Sequence, residues 1–400
     1  MKKLHYNTLL VKRRIEGIFI FPFILIGRLL SLLFSAKKEY DIYFLFPFYH
    51  IGGAEKVHAQ VAQVFKGTNA IIYFTKKSHN DLFLKEFEST GFTIKDISKY
   101  TDNKWLYFLN LIFRGIITGG MNRQKNKPVV FNGQCNFAYK ISPWVNKNIK
   151  QVELIHSLNS FSYIRTPFLP FISTTVMISR QRIKDHEVLY KQLQIPESFL
   201  KKIVYIPNAV KAPLITKHKT FSPFTVLYVG RGGVEKRLHL VSAIAEKVHS
   251  QNPAIRFEIL GDVSGVLKQE NFPFIHFYGN QNNPDVVSAI YEKASVLLLT
   301  SSTEGFPMVI IEAMLHEAVP VATPVGDIPY HIHPGKNGHL FSSIENEQKI
   351  IEEGSDLILS LSGNLSMLAG QSAAAAAYAK ENFGMEQFSE AYRQVLNPTI

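Results

Sequence analysis

Two sets of residues have the types and spacing for chemistry on a charged, hydroxyl-rich ligand. The first is Glu304-Gly305-Phe306-Pro307 with Glu312, two carboxylates placed across a loop and an expected helix at 307–317. Glycine allows close backbone approach, and Pro307 suits a first helical turn. The free amides and positive dipole end of such a helix favour an anion or hydroxyl groups. The second set is Gly230-Arg231-Gly232-Gly233-Val234-Glu235-Lys236. Arg231 and Lys236 bracket a glycine turn that follows an expected strand and opens an expected helix. Two cations and several amides can there converge on a diphosphate. The spacing is neither G-x-G-x-x-G nor a P-loop. Taken singly, each set also suits surface charges on an ordinary strand–loop–helix.

The elements that must hold these residues alternate between strand and helix. Continuous apolar runs predict buried strands at 41–48, 70–74, 129–131, 152–155, 176–178 and 203–206. A helix is expected at 54–66, after the turn Ile51-Gly52-Gly53. The scheme repeats with strands at 225–229, 256–260, 275–278, 295–299 and 319–322, and a helix at 236–250. Helices close the chain from about residue 345. Such alternation implies parallel α/β sheets. The link Pro207-Asn208-Ala209 to Pro213 is the natural boundary between two halves.

Composition narrows the classes. The chain has 400 residues, 46% hydrophobic and 19% charged, which excludes disorder, collagen and coiled coil as descriptions of the whole. One cysteine, Cys135, excludes an internal disulfide and a cysteine-built zinc site. The net charge of +12 is uneven. Residues 1–38 hold eight basic residues against one acid, whereas residues 209–400 hold 14 against 19. That polarity suits an anionic bilayer surface rather than a nucleic acid.

The N-terminal segment is basic and then apolar. Lys2, Lys3, Lys12, Arg13 and Arg14 precede an apolar run from Gly17 to Phe34, broken by Pro22, Arg28 and Ser31. Eighteen residues is the lower edge of a span, and an arginine inside it is costly. Arg28, Ser31 and Ser35 form a narrow polar stripe at helical spacing. Lys37 and Lys38 make the far flank basic too, so charge names no orientation. A helix lying in the membrane interface is the leading reading. A single span, a helix packed on the protein's own core and a cleaved signal peptide are the others.

Together these segments resemble the retaining GT-B glycosyltransferases of family 4, the glycosyl transferases group 1. The resemblance covers most of 40–383. Glu304 with Glu312 is its most specific mark, supported by Gly52-Gly53-Ala54-Glu55, Ile206-Pro207-Asn208-Ala209-Val210, Leu260-Gly261-Asp262, Gly326-Asp327-Ile328-Pro329 and Gly335-Lys336-Asn337-Gly338. It implies an α/β GT-B fold, two Rossmann-like domains with parallel sheets facing a central cleft. The implied organisation is a membrane-associating segment at 1–38, an acceptor domain at 39–208, a nucleotide-sugar domain at 209–384, and a helix at 385–400 packing back on the first domain. Arg231 and Lys236 would hold the donor's diphosphate and stabilise it as leaving group. Glu304 would bind donor-sugar hydroxyls, beside the amides of Gly305 and Phe306 and near Pro307, and Glu312 the ribose. Gly52 and Gly53 would close over the phosphates, and His156 would lie near the donor sugar.

The family uses no metal, and the chain has no Asp-x-Asp pair. No cofactor is therefore expected beyond the nucleotide-diphosphate sugar as co-substrate, with UDP ahead of GDP by family frequency. The implied activity is that of a hexosyltransferase on a lipid-linked saccharide in bacterial surface polysaccharide synthesis, at the cytoplasmic face of the membrane. No nucleic-acid partner is expected. Two departures stand out: Tyr330 where the family often has an acid, and Lys211 in place of the usual acid after the linker. A nucleotide-sugar epimerase of the same fold and a non-catalytic sugar-binding or scaffold protein are the alternatives.

Overall fold

The computed structural model describes residues 5–34, 38–50, 52–156, 158, 160–213, 219–281 and 283–397. Lys2, Lys3, Ser35, Lys37 and Ile51, invoked above, lie outside them. The chain divides into two compact units, Met1–Pro207 with Ser389–Ile400, and Asn208–Phe388. The boundary falls one residue before the expected one. The last helix, Met385–Leu396, straddles the second boundary, so that the second unit runs four residues past the expected 384.

Unit 1 is built on seven parallel strands: β1 (Ile42–Phe46), β2 (Ala70–Phe74), β3 (Thr93–Asp96), β4 (Val129–Asn132), β5 (Lys150–Ile155), β6 (Thr174–Met177) and β7 (Ile203–Tyr205). Their order is β3-β2-β1-β4-β5-β6-β7. Every residue of β1, β2 and β4 is buried, as the unbroken apolar runs require. Tyr392 of the last helix packs its ring on Phe131 of β4 at 6.2 Å. Strand β3 was not anticipated. Its residues are Thr, Ile, Lys and Asp, half-buried to exposed at the sheet edge, so no apolar run marks it.

Unit 2 has six parallel strands: β8 (Thr225–Val229), β9 (Arg256–Leu260), β10 (Ile275–Gly279), β11 (Val296–Leu299), β12 (Val319–Ala322) and β13 (His339–Leu340). The order is β10-β9-β8-β11-β12-β13. In both sheets the strand order reverses once, between β1 and β4 and between β8 and β11. Loops at the C-terminal ends of strands flanking such a reversal form the ligand crevice of open α/β sheets.

The N-terminal helix α1 (Tyr6–Phe34) packs along the helix Tyr107–Arg123 of unit 1 rather than standing apart as a separate segment. The two backbones touch. A Cβ on Gly27 would collide with the Ile112 carbonyl and Gly115, and one on Gly115 with the Ile24 carbonyl and Gly27. The polar stripe faces inward: an Arg28 Nη donates to the Trp144 carbonyl at 2.9 Å, and Arg123 donates to the Ser31 hydroxyl at 2.6 Å. By length and composition alone the helix is apolar enough to cross a membrane.

Candidate active site

In unit 2 the loops after β8 and β11 lie on either side of the reversal point and are laced together. Ser302 donates its amide to the Glu235 carbonyl at 2.8 Å, and the Thr300 hydroxyl donates to the Lys236 and Arg237 carbonyls, each at 3.1 Å. The loop after β9 also approaches closely: Gly261 has φ +128, and a side chain there would strike the Gly230 carbonyl.

Lys236 and Glu304 come together. The Lys236 ammonium donates to Glu304 Oε1 at 2.5 Å, with the side chains 20% and 11% exposed. Arg231 does not join them. Its side chain is 83% exposed, and its nearest carboxylate is Glu235 at 3.9 Å. The expectation that both cations open a helix is also corrected: residues Val234–Lys236 form a single 3-10 turn, and the helix starts at Leu238.

After β11, Gly305 is open to its surroundings, with no atom near the position a side chain would take. Phe306 turns inward, its ring 4.4 Å from His331 and 5.0 Å from Phe383, so only its backbone can meet a ligand. Pro307 caps the helix Met308–Leu315 from outside rather than forming its first turn. Glu312, on the second turn of that helix, accepts a hydrogen bond from the Tyr291 hydroxyl at 2.8 Å. Burial first, and then the charge of Glu312, raises the Tyr291 pKa well above its usual value, so the hydroxyl keeps its proton. Tyr330 is half-buried on the short helix Ile328–His331.

Arg237 was not anticipated. It is nine-tenths buried with φ +48, and its guanidinium donates to the carbonyls of Thr300 at 2.7 Å, Ile344 at 2.5 Å and Ser301 at 3.2 Å. It ties the two loops and a third segment into one body. Its only signal in the sequence was a second cation directly after Lys236.

In unit 1 the matching strand ends carry Gly52, Gly53 and His156. Gly53 begins helix α2 (Gly53–Val64), with open space at its Cα, and Gly52 caps that helix. A side chain on Gly52 would strike the carboxylate of buried Glu55, which lies 4.0 Å from His50. His156 follows β5, and its Nε2 lies 3.0 Å from Nε2 of His58 on α2. Its amide donates to Gln134 Oε1 at 3.1 Å. His58 is fully buried and stacks on Phe46 at 4.6 Å. Burial holds His156 at a pKa of about 4. Burial, and then His156 itself, takes His58 well below the usual histidine range, so both rings are neutral near pH 7. His58 escaped sequence reading because it sits among Val57, Ala59, Val61 and Ala62, at the core spacing of an amphipathic helix.

Strand β5 is braced by a buried ion pair. Arg165 donates to Glu153 at 2.5 Å, and Tyr139 and Thr175 donate to the same carboxylate at 2.8 and 2.6 Å. Burial alone would raise the Glu153 pKa. Arg165 and these hydrogen bonds outweigh it, and the net direction is downward. Among the described residues no group of three or more His, Cys, Asp or Glu side chains is arranged to hold a metal ion.

Comparison with known proteins agrees with this geometry. Residues 223–359 match the family model for glycosyl transferases group 1. A lipopolysaccharide 1,6-galactosyltransferase of Salmonella typhimurium is 29% identical over 149 residues, 35% of this chain. The match spans only 41% of that relative's length. Among solved structures, Anabaena HepE in complex with UDP superposes with a TM-score of 0.71 at 16% identity, covering 89% of this chain and 99% of that one. The lipopolysaccharide outer core galactosyltransferase WaaB, in its apo form, gives 0.66 at 18% identity, covering 90% and 99%. With two Rossmann-like parallel-sheet units and these neighbours, the chain has the GT-B glycosyltransferase fold, and its second unit carries the pattern of glycosyl transferases group 1.

Proposed function

We propose that this chain is a retaining family 4 glycosyltransferase. It moves a hexosyl group from a nucleoside-diphosphate sugar, with UDP as the nucleotide, to a hydroxyl of a lipid-linked saccharide. The setting is bacterial surface polysaccharide synthesis, as capsule, O-antigen or exopolysaccharide, at the cytoplasmic face of the membrane. The observation that carries the reading is the Lys236–Glu304 pair at the strand-order reversal of unit 2, inside the matched stretch. The name of the Salmonella relative and the UDP in the HepE structure support it.

On this reading the sugar–oxygen bond to the diphosphate breaks and a bond to the acceptor oxygen forms. Negative charge grows on the departing diphosphate, and Lys236 and the loop amides stabilise it. The acceptor proton passes to that phosphate on the same face of the sugar, so no carboxylate nucleophile is needed and Glu304 and Glu312 bind hydroxyls. Lys236 then supplies the positive charge that a metal would otherwise provide, and no resident metal is required. Arg231, exposed and held only loosely by Glu235, swings onto the diphosphate when donor binds.

The test is thermal stabilisation of the purified protein by a panel of nucleotides and nucleotide sugars, followed by donor hydrolysis. Stabilisation by UDP and a UDP-sugar, with slow release of UDP, is the expected result. No response to any nucleotide overturns the reading. Interconversion of the sugar without an acceptor replaces it with an epimerase.

A further inference from the structure

A cavity lined by cations lies in unit 1, at the other end of the sheet from His156. Helix α1 is inverted relative to a water-facing helix. Its polar residues Arg28 and Ser31 point into the protein, and Ile18, Phe19, Leu29, Leu32 and Leu33 are exposed. At about 100° per residue, Lys12 and Arg14 fall on the two margins of that exposed apolar stripe. The stripe continues onto the neighbouring helix, where Phe108 packs on Phe23 at 5.4 Å and Trp105 is 92% exposed. Beside it opens a cavity of about 700 Å³, walled by Ile18, Phe21, Trp144 and Phe168. Four cations line it, Arg13, Arg14, Arg114 and Lys140, against one carboxylate, Glu16.

The cations are held in place. Arg114 is nine-tenths buried and donates to Asn110 at 2.9 Å. Arg13 sits 4.6 Å over the Phe171 ring, and its buried Nε has no partner among the described residues. Lys140 lies 5.3 Å over Phe168 and 3.7 Å from Glu16. Burial lowers the pKa of both Arg114 and Lys140, the direction that a bound anion would reverse. Trp144 precedes β5 and Phe171 precedes β6, whereas His156 follows β5, so this cavity is not part of the candidate active site.

We propose that the cavity binds the phosphate headgroup of an anionic phospholipid, while the outer face of α1, with Trp105 and Phe108, lies in the acyl layer of the same leaflet. The glycine contacts and the Arg28 and Arg123 bonds hold α1 flat along unit 1, so it lies on the bilayer and does not cross it. This deepens the membrane placement of the proposed function by naming the lipid group and the footprint, and rests on that placement alone.

The experiment is co-sedimentation of the full chain with vesicles of equal parts phosphatidylglycerol and phosphatidylcholine, and of phosphatidylcholine alone. Strong binding to the first and weak binding to the second is expected. The double variant Arg14→Gln with Lys140→Gln should bind anionic vesicles roughly 20-fold less tightly, on the scale of two cations near such a surface. Phe19→Ser with Leu29→Ser should remove the residual binding to both vesicle types. In a Trp105→Phe variant, Trp144 is the only tryptophan left. Its fluorescence should shift with anionic vesicles and not with inorganic phosphate.

Equal binding to both vesicle types, or binding unchanged in the glutamine pair, overturns the proposal. An equal Trp144 shift with inorganic phosphate makes this a free-anion site and also overturns it. So does a concentration-dependent dimer with no vesicle binding, because a second copy then covers the stripe. Circular dichroism and urea unfolding check that each variant folds. If the glutamine pair does not, the salt dependence of wild-type binding replaces it, and salt-independent binding counts against the headgroup site. No step reads turnover, so the transferase reading can fail while this one stands, and the reverse.

Discussion

Lys236 and Glu304 form an ion pair at 2.5 Å between two loops that belong to different strands. The cation assigned to the leaving diphosphate is thus parked on the carboxylate assigned to the sugar. On the proposed reading, donor binding exchanges this pair for two new ones.

The exchange gives the first expected outcome. Lys236→Ala should lower turnover by ~100-fold or more, the scale for losing one preorganised electrostatic partner, with a smaller loss of donor affinity. Glu304→Gln should lower turnover as well, and the double variant should lose much less than the product of the two. Steady-state kinetics of the three proteins at saturating acceptor decide the matter. Near-normal turnover in Lys236→Ala removes this loop from the diphosphate.

Glu312 should behave differently, because ribose hydroxyls do not change during transfer. Glu312→Ala is expected to raise the donor Michaelis constant with turnover nearly kept. Tyr291→Phe deletes the hydrogen bond that orients Glu312 and should give a milder change in the same direction, roughly fivefold. A fall in turnover at unchanged Michaelis constant in either variant would contradict the ribose assignment.

The histidine pair sets a tautomer. His58 Nδ1 is buried with no partner among the described residues, and a bare nitrogen is tolerated there better than an orphan N–H. His58 therefore carries its proton on Nε2 and donates it to His156, leaving the His156 proton on Nδ1. His58→Phe should cost roughly fivefold in turnover, the scale of one hydrogen bond, and nitrogen-15 spectra should show His156 as mixed tautomers. His58→Gln keeps a donor and should restore both. A single unchanged His156 tautomer in the phenylalanine variant would show that His58 only fills space.

Unit 1 should lose stability in acid. Burial holds His156 and His186 at about 4, against an unfolded value near 6.5. Between those values the unfolded chain binds more protons, so stability is full above about pH 6.5 and falls as pH drops towards 4. Each histidine accounts for roughly 1–3 kcal/mol across that window. Urea unfolding at a series of pH values measures the slope, and His186→Gln should flatten it. A slope unchanged by that substitution would place the acid sensitivity elsewhere.

Arg237→Ala removes a donor from three carbonyls, of which Ser301 keeps the Thr323 hydroxyl, and should destabilise unit 2 by about 2–4 kcal/mol. Arg237→Lys keeps the charge and cannot reach three acceptors, so it should recover little. Denaturant unfolding distinguishes the two.

Much of this was legible in the sequence because burial on both faces writes strands as unbroken apolar runs. Strands β2, β8, β9 and β12 fall where those runs lie. Edge strands β3 and β13 carry half-exposed residues and leave no such mark. The candidate residues Lys236 and Glu304 were read from loop motifs, and Glu312 from its spacing to Glu304. Arg237, Tyr291 and His58 were missed for a common reason. Each acts from inside the core on another residue, and the spacing that puts a side chain in the core looks the same whether it packs or orients. Arg231 is the converse case: its place in the motif brackets the glycine turn, and its side chain is exposed.

The glycine seam between α1 and the helix Tyr107–Arg123 has a consequence for synthesis. Gly27 leaves the ribosome almost ninety residues before Gly115. At roughly 5–20 residues per second that interval lasts about 4–18 s. Throughout it the nascent α1 has no protein surface to close against, and its greasy side can be covered only by lipid or by a chaperone. If α1 adsorbs as proposed, the seam would zip up on a helix already on the bilayer, and delivery would begin during translation, before the fold it serves.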